Sequence, residues 1–238
     1  MIIKNTIAIL LAARSGSKRL PNKHFLKVHG NLNIIDVCIL RLKKVRLVNK
    51  IFLCTTKKNI DDKFKKICRS HNIGLYRGSA SNVSKRLIDC AKANSIKTIV
   101  RITADCPIID PGLIDKCIKL HIMKKCDYTS NILKFSFPDG LDVEVFTLVS
   151  LIKSQNLSKT HYNKEHVTPY IRRSKKFKKF SYKNLVDYSN RRWTLDYLKD
   201  YLFFQKVFEY FSPNIYFPWK DLINAEKANK ALINIKKR

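Results

Sequence analysis

The chain predicts an α/β fold built on a parallel sheet, and three features of its 238 residues carry that expectation. Short apolar runs recur through the first half, amphipathic stretches of helical length lie between them, and the first run spills into a small-residue loop rich in cations. The strands are predicted over Thr6 to Leu11, Lys50 to Thr55, Gly74 to Tyr76 and Thr98 to Thr103. The helices between them are predicted over about Asn33 to Val45, Asn59 to His71 and Ser81 to Ala93, with Asn33, Asn59 and Ser81 as N-caps. Pro111 opens a further helix to about Lys124 at the favoured first-turn position, with Asp110 as its cap.

Beyond Cys126 the texture changes. A strand (Asp127 to Asn131), a loop through Pro138-Asp139-Gly140, a strand (Leu141 to Phe146) and a helix from about Thr147 to Gln155 follow. Next come a helix over Lys164 to Arg173, a strand over Phe177 to Tyr182 and a short strand over Arg191 to Leu195. An aromatic-rich helix (Tyr197 to Phe211) and a closing helix from Trp219 complete the chain. The sequence holds no internal repeat and no low-complexity linker, so one domain spanning 1–238 is expected.

Composition narrows the class. A hydrophobic content of 45% with 11% aromatics suits one sizeable core. The longest apolar run, Ile7 to Ala13, falls far short of the roughly 20 residues that cross a bilayer. Nothing before it resembles a basic leader with a cleavage site, so a cytoplasmic protein is expected. Seven cysteines lie in apolar segments with no C-x-x-C pair, which predicts reduced core thiols. Cys68/His71 and Cys117/His121 have helix-compatible ligand spacing, but no second pair completes a zinc site and none is predicted. The net charge of +30 raises a nucleic-acid reading. Its spread over Lys43-Lys44, Lys57-Lys58, Lys65-Lys66, Lys124-Lys125, Arg172 to Lys179 and Lys236 to Arg238 is diffuse, which favours non-specific polyanion affinity over a dedicated role.

The loop after the first strand is the most informative segment. Small residues at Ala12, Ala13, Ser15 and Gly16 let backbone N–H groups approach a ligand, while Arg14, Lys18, Arg19 and Lys23 neutralise phosphates. That combination predicts a cradle for a triphosphate. In doubly wound sheets ligands bind beyond the carboxyl ends of the strands, so the loop should face Ala104-Asp105-Cys106-Pro107. Asp105 there either holds Mg²⁺ beside phosphate oxygens or caps a helix, and the facing cradle favours the metal. Asp196 either supplies a second carboxylate to the ion or caps the helix beginning at Tyr197.

The cradle matches neither G-x-G-x-x-G nor G-x-x-x-x-G-K-[ST]. Instead, Leu-Ala-Ala-Arg-Ser-Gly-Ser-Lys-Arg-Leu-Pro-Asn-Lys over 11–23 resembles the loop of the cytidylyltransferases that make CMP-activated sugars. The SpsF-like subgroup, named after a spore coat polysaccharide biosynthesis protein, is similar over about residues 5 to 210. Its landmarks stand here as Arg77-Gly78-Ser79, Arg101 to Pro111, Phe137 to Phe146, Glu165 to Tyr170 and Arg192 to Asp196.

The resemblance implies a nucleotide-diphospho-sugar transferase fold, GT-A-like and Rossmann-like, with a mostly parallel but mixed central sheet. It also implies Mg²⁺ dependence and a homodimer. The nucleotide-binding half would cover about 1–125, and the acceptor-binding and dimerisation half about 126–238. Carried over, the resemblance assigns Arg14, Lys23 and Asp105 to catalysis. It assigns the nucleotide to Leu11, Ala12, Ala13, Arg14, Ser15, Gly16, Ser17, Arg19, Asn22, Lys23, Ser79 and Ala104, with Ala12 and Ala13 against the cytosine. The metal goes to Asp105 and Asp196.

Two stretches depart from the subgroup pattern: Ala80-Ser81-Asn82, where acids are usual, and Leu198-Lys199-Asp200, where Pro-Glu-Asp is usual. Strand alternation would put Asp142 and Glu144 on one face, where with Asp139 they either bind acceptor hydroxyls or assist deprotonation, or else form a turn with a solvated edge. His166 would contact the acceptor, act as a base, or simply pack. The stripe Tyr197/Tyr201/Phe204/Phe208, with Tyr170 and Trp193, fits core or dimer interface better than a sugar platform.

The implied activity is transfer of CMP from CTP to a sugar acid or sugar phosphate, with release of pyrophosphate. The rival readings are a glycosyltransferase consuming a nucleotide sugar and a basic nucleic-acid binder.

Overall fold

The computed structural model describes residues 6–228, so the basic cluster at Lys236 to Arg238 lies outside the described residues. Along β1 (Ile7–Ala12), Ile7, Ile9 and Leu11 enter one buried cluster and Ala8 and Leu10 the other. A strand apolar on both faces belongs in the middle of a covered parallel sheet.

A small hairpin follows from β2 (Lys27–His29) and β3 (Leu32–Asn33), then α1 (Ile34–Leu42). The doubly wound part continues through β4 (Lys50–Thr56), α2 (Lys63–Ser70), β5 (Gly74–Gly78), α3 (Val83–Ala93), β6 (Thr98–Thr103) and α4 (Pro111–Lys124). The second half supplies β7 (Tyr128–Ser130), β8 (Glu144–Thr147), α5 (Leu148–Leu157), α6 (His161–His166), α7 (Pro169–Arg173) and β9 (Lys179–Ser181). The last described helices are α8 (Leu198–Tyr210) and α9 (Trp219–Ala228).

Among these residues the main sheet runs β5-β4-β1-β6-β8-β7-β9. β1 pairs in parallel with β4 and β6, and β4 with β5, whereas β8 is antiparallel to both β6 and β7. This is the mostly parallel, mixed sheet that was expected. The face holding α1, α2, α4 and α8 contains Trp193, Phe204 and Phe208, so the inner half of the aromatic stripe is core. The other face packs α3, α5 and α7. All seven cysteines are buried, and His71 is bonded to Asp36 at 2.7 Å.

Several expectations are corrected. Asn59 heads a single 3-10 turn, and α2 starts from Asp62 instead. The cap of α3 is Asn82, whose side chain accepts the Lys85 amide at 2.8 Å, not Ser81. The helix predicted over 164–173 is two helices broken at Val167, which has φ 73°. The strand predicted from Leu141 begins only at Glu144, so alternation does not pair Asp142 with Glu144. Arg191 to Leu195 is not a strand: it makes one bridge, Asp139 to Arg192, because it borrows the backbone of the Pro138-Asp139-Gly140 turn rather than a sheet edge.

Candidate functional site

From β1 the chain moves to β4 and β5 on one side and returns to β6 on the other. At such a reversal the strand ends diverge and leave a crevice. A cleft of about 600 Å³ opens there. Ala12, Ala13, Arg14, Gly16, Ser17 and Arg19 line it from the loop, with Lys23 below, Ala104 and Asp105 from the end of β6, and His166 and Asp196 from the second half.

The loop is tied to the sheet at both sides. The Ala13 amide donates to the Cys54 carbonyl at 3.2 Å, and the Ala104 amide to the Ala12 carbonyl at 3.1 Å. Buried Asp61 accepts the Ser15 amide at 2.7 Å and the Thr56 hydroxyl, so Ser15 faces inward as an anchor. Burial alone would raise the Asp61 pKa. The bonds from Thr56 and Ser15 outweigh it and hold the carboxyl below its ordinary range.

Four residues assigned to the nucleotide do not line the cleft. Leu11 is core; Ser15 is turned to Asp61; exposed Asn22 sits at φ 54° and accepts from Lys63 Nζ; and Ser79 accepts the Asn82 amide beside a neighbouring surface pocket.

The charged centre lies at Lys23. Its side chain is 9% exposed, and Nζ donates to Asp105 Oδ2 at 3.0 Å, Asp196 Oδ1 at 3.2 Å and the Leu195 carbonyl at 2.7 Å. Burial opposes ionisation of Asp105, but the Lys23 ammonium and bonds from Thr103 and Lys23 bring its pKa to about 2. Asp196 also accepts from Arg19 at 2.6 Å and Arg192 at 3.0 Å. It does not cap α8: Asp200 accepts the amides of Asp196 and Tyr197, both at 2.8 Å. Arg14 reaches across the cleft to Glu165 at 3.3 Å.

The acceptor assignments divide. His166 lines the cleft, whereas Asp139, Asp142 and Glu144 do not. Asp139 works through its backbone, whose carbonyl accepts the Trp193 amide at 2.6 Å, and so sets the segment that carries Asp196. Asp142 lies near enough to Arg101 to act on its charge. Glu144 is 2% exposed and is fully engaged by Arg101, the Tyr128 hydroxyl at 2.6 Å and the Thr168 hydroxyl. Its role is to brace Arg101, which does line the cleft. Arg86, Arg101, Glu165 and buried His24 join the site without having been given a role from sequence. Burial first, and the Lys23 charge second, bring His24 to a pKa of about 4, so it is neutral at pH 7.

A family model for cytidylyltransferases matches residues 8–218. The chain belongs to the cytidylyltransferase family. The spore coat polysaccharide biosynthesis protein SpsF of Bacillus subtilis is 31% identical over 175 residues, covering 71% of this chain and 70% of that protein. An uncharacterized protein of Methanocaldococcus jannaschii is 35% identical over 222 residues, covering 91% and 85% respectively. Among solved structures, a cytidylyltransferase from Leptospira borgpetersenii superposes with a TM-score of 0.92 at 34% identity and covers 98% of each chain. The CTP-complexed CMP-2-keto-3-deoxy-manno-octonic acid synthetase shares the fold at 12% identity, with a TM-score of 0.63 over 86% of this chain and 99% of that one.

The carboxylates that line the cleft are donors of the kind a divalent ion takes. Asp105 and Asp196 converge on a single cationic group, and hard carboxylate oxygens are what Mg²⁺ takes alongside phosphate oxygens. Among the described residues no cluster of three His, Cys, Asp or Glu offers a richer site.

Proposed function

We propose that this chain transfers CMP from CTP to an oxygen of a sugar acid or sugar phosphate and releases pyrophosphate. One observation carries the reading: a cation-lined loop after β1 faces Asp105 and Asp196 across a single cleft. The names of its relatives support the setting, since SpsF belongs to polysaccharide biosynthesis and the synthetase of the same fold is complexed with CTP.

The acceptor oxygen attacks the α-phosphorus in line, the bond to the bridging oxygen of the β-phosphate breaks, and its electrons leave with pyrophosphate. Arg14 and Lys23 offset the charge that builds on the phosphate oxygens and leaving group. To do so, Arg14 exchanges the Glu165 carboxylate for phosphate. Ala12 and Ala13 give a close wall for a pyrimidine. Mg²⁺ held by Asp105 and Asp196 would neutralise further phosphate charge.

The test incubates the protein with each of the four nucleoside triphosphates, Mg²⁺ and a panel of sugar acids and sugar phosphates, following pyrophosphate. Release with CTP and one class of acceptor is expected. Release of a nucleoside diphosphate from a nucleotide sugar, with no use of CTP, would overturn the reading in favour of a glycosyltransferase.

A further inference from the structure

The cleft contains a cation that the proposed phosphate chemistry does not use. Arg86, in the second turn of α3, is 2% exposed yet lines the cleft. Its Nη1 donates to the Ser79 carbonyl at 3.1 Å, and its Nε has no partner. Among the described residues no carboxylate lies within ion-pair distance of it. The acid that acts on it, Asp61, is committed to Ser15 and Thr56, and Arg14 adds repulsion. A buried guanidinium without a counter-charge is costly, and a ligand anion would relieve it.

Arg101 enters the same cleft from β6 and also keeps a buried Nε without a partner. Its Nη1 is held by Glu144, which Tyr128 and Thr168 engage in turn. Two planar guanidinium forks, each with a buried Nε–H that no acceptor engages, suit a carboxylate or phosphate.

We propose that Arg86, with Arg101, forms a second anion-binding position on the floor of the cleft, and that it takes the acid group of the acceptor. This rests on the reading of the cleft as a cytidylyl-transfer site. The acceptor is favoured over the triphosphate because the loop brings its own cations, Arg14, Lys18, Arg19 and Lys23. Arg101 is instead braced by β7, β8 and the start of α7, and its cleft neighbours include Glu165 and His166 of α6.

The test is calorimetric titration of inorganic phosphate and of pyruvate into the full chain, without nucleotide and with CTP and Mg²⁺ saturating. The position predicts that one of these anions still binds when CTP is in place. Arg86→Gln should weaken that binding tenfold or more while changing the CTP Kd by less than twofold.

Disappearance of anion binding once CTP is present would overturn the proposal, since the anion would then occupy the triphosphate position. Equal weakening of CTP and anion, or no change in anion binding, would overturn it too. If Arg86→Gln does not fold, Arg86→Lys, which keeps the charge and loses the fork, should still weaken pyruvate binding, and the wild-type competition stands without any variant. Failure of CTP to bind at all sinks the cytidylyl-transfer reading. In that case, the nucleotide-free titration still reports on Arg86.

Discussion

Lys23 shows how a single side chain organises this site. An ammonium this buried persists because two carboxylates and a carbonyl surround it, and those acceptors come from the end of β6 and from the segment before α8, far apart in sequence. The same arrangement keeps Asp105 ionised to a pH of about 2, so it is a carboxylate throughout the physiological range. Asp105→Asn should lower pyrophosphate release by roughly a hundredfold or more, the scale of losing one electrostatic partner of the transition state. Stability should change by about 1 kcal/mol, because Lys23 retains Asp196 and the Leu195 carbonyl. Near-normal turnover by that variant would remove Asp105 from the chemistry.

At this scale the sequence was legible where charge and small residues share one loop. Arg14, Lys23 and Asp105 all line the one cleft. Arg86 and Arg101 were not legible as site residues, because an arginine within a helix or strand reads as surface charge until burial is known. Glu144 was misread for the same reason. Its acid character suggests contact with a ligand, and only the fold shows Arg101, Tyr128 and Thr168 consuming it.

Elements were most legible where local chemistry sets their ends. Asp110 accepts the Leu113 amide at 3.0 Å and Pro111 opens α4, so both ends of that helix agree with the sequence reading. The break between α6 and α7 escaped because a tertiary contact creates it. Val167 adopts φ 73° and ψ −58°, and the Thr168 amide donates back to the His166 carbonyl at 2.9 Å, closing a strained γ-turn. Such a turn costs roughly 1–3 kcal/mol. It is held by the burial of Val167 and by the bond from Thr168 to Glu144. The Pro138-Asp139-Gly140 turn also acts through packing. Gly140 has φ 105°, and a Cβ there would meet the Trp193 carbonyl oxygen at 2.2 Å. Gly140→Ala should therefore destabilise the protein by more than about 1 kcal/mol, measured by chemical denaturation. It should also reduce activity in the folded fraction, because the strand-like segment it displaces leads directly to Asp196. Unchanged stability would show that this turn does not hold the 191–195 segment in place.

For the whole molecule, fold class was legible because alternating strands and amphipathic helices fix layer order, whereas the position of β8 and the pairing of 139 with 192 depend on long-range contacts. The charge of +30 is spread along the sequence and says little about the site. pH should act through a buried group instead. His121, on α4, is held near pKa 4 by burial, below its ordinary 6.5, and faces the Thr129 hydroxyl of β7 at 3.3 Å, with Asp127 opposing the shift. Between those two values the unfolded chain binds the proton and the folded one does not, so stability falls as pH drops from 6.5 towards 4. Urea melts across that range should show the loss, to which buried His24 contributes in the same direction, and His121→Leu should reduce the slope by about half. An identical slope in the variant would assign the acid sensitivity elsewhere.

The central claim is that one cleft at the ends of β1 and β6 holds CTP. The most direct measurement is a crystal structure of the chain with CTP and Mg²⁺. Nucleotide density is expected in that cleft, with Arg14 moved from Glu165 to phosphate and Asp105 and Asp196 turned to one ion. Nucleotide bound elsewhere, or a triphosphate that leaves Arg14 on Glu165 and Lys23 untouched, would contradict it.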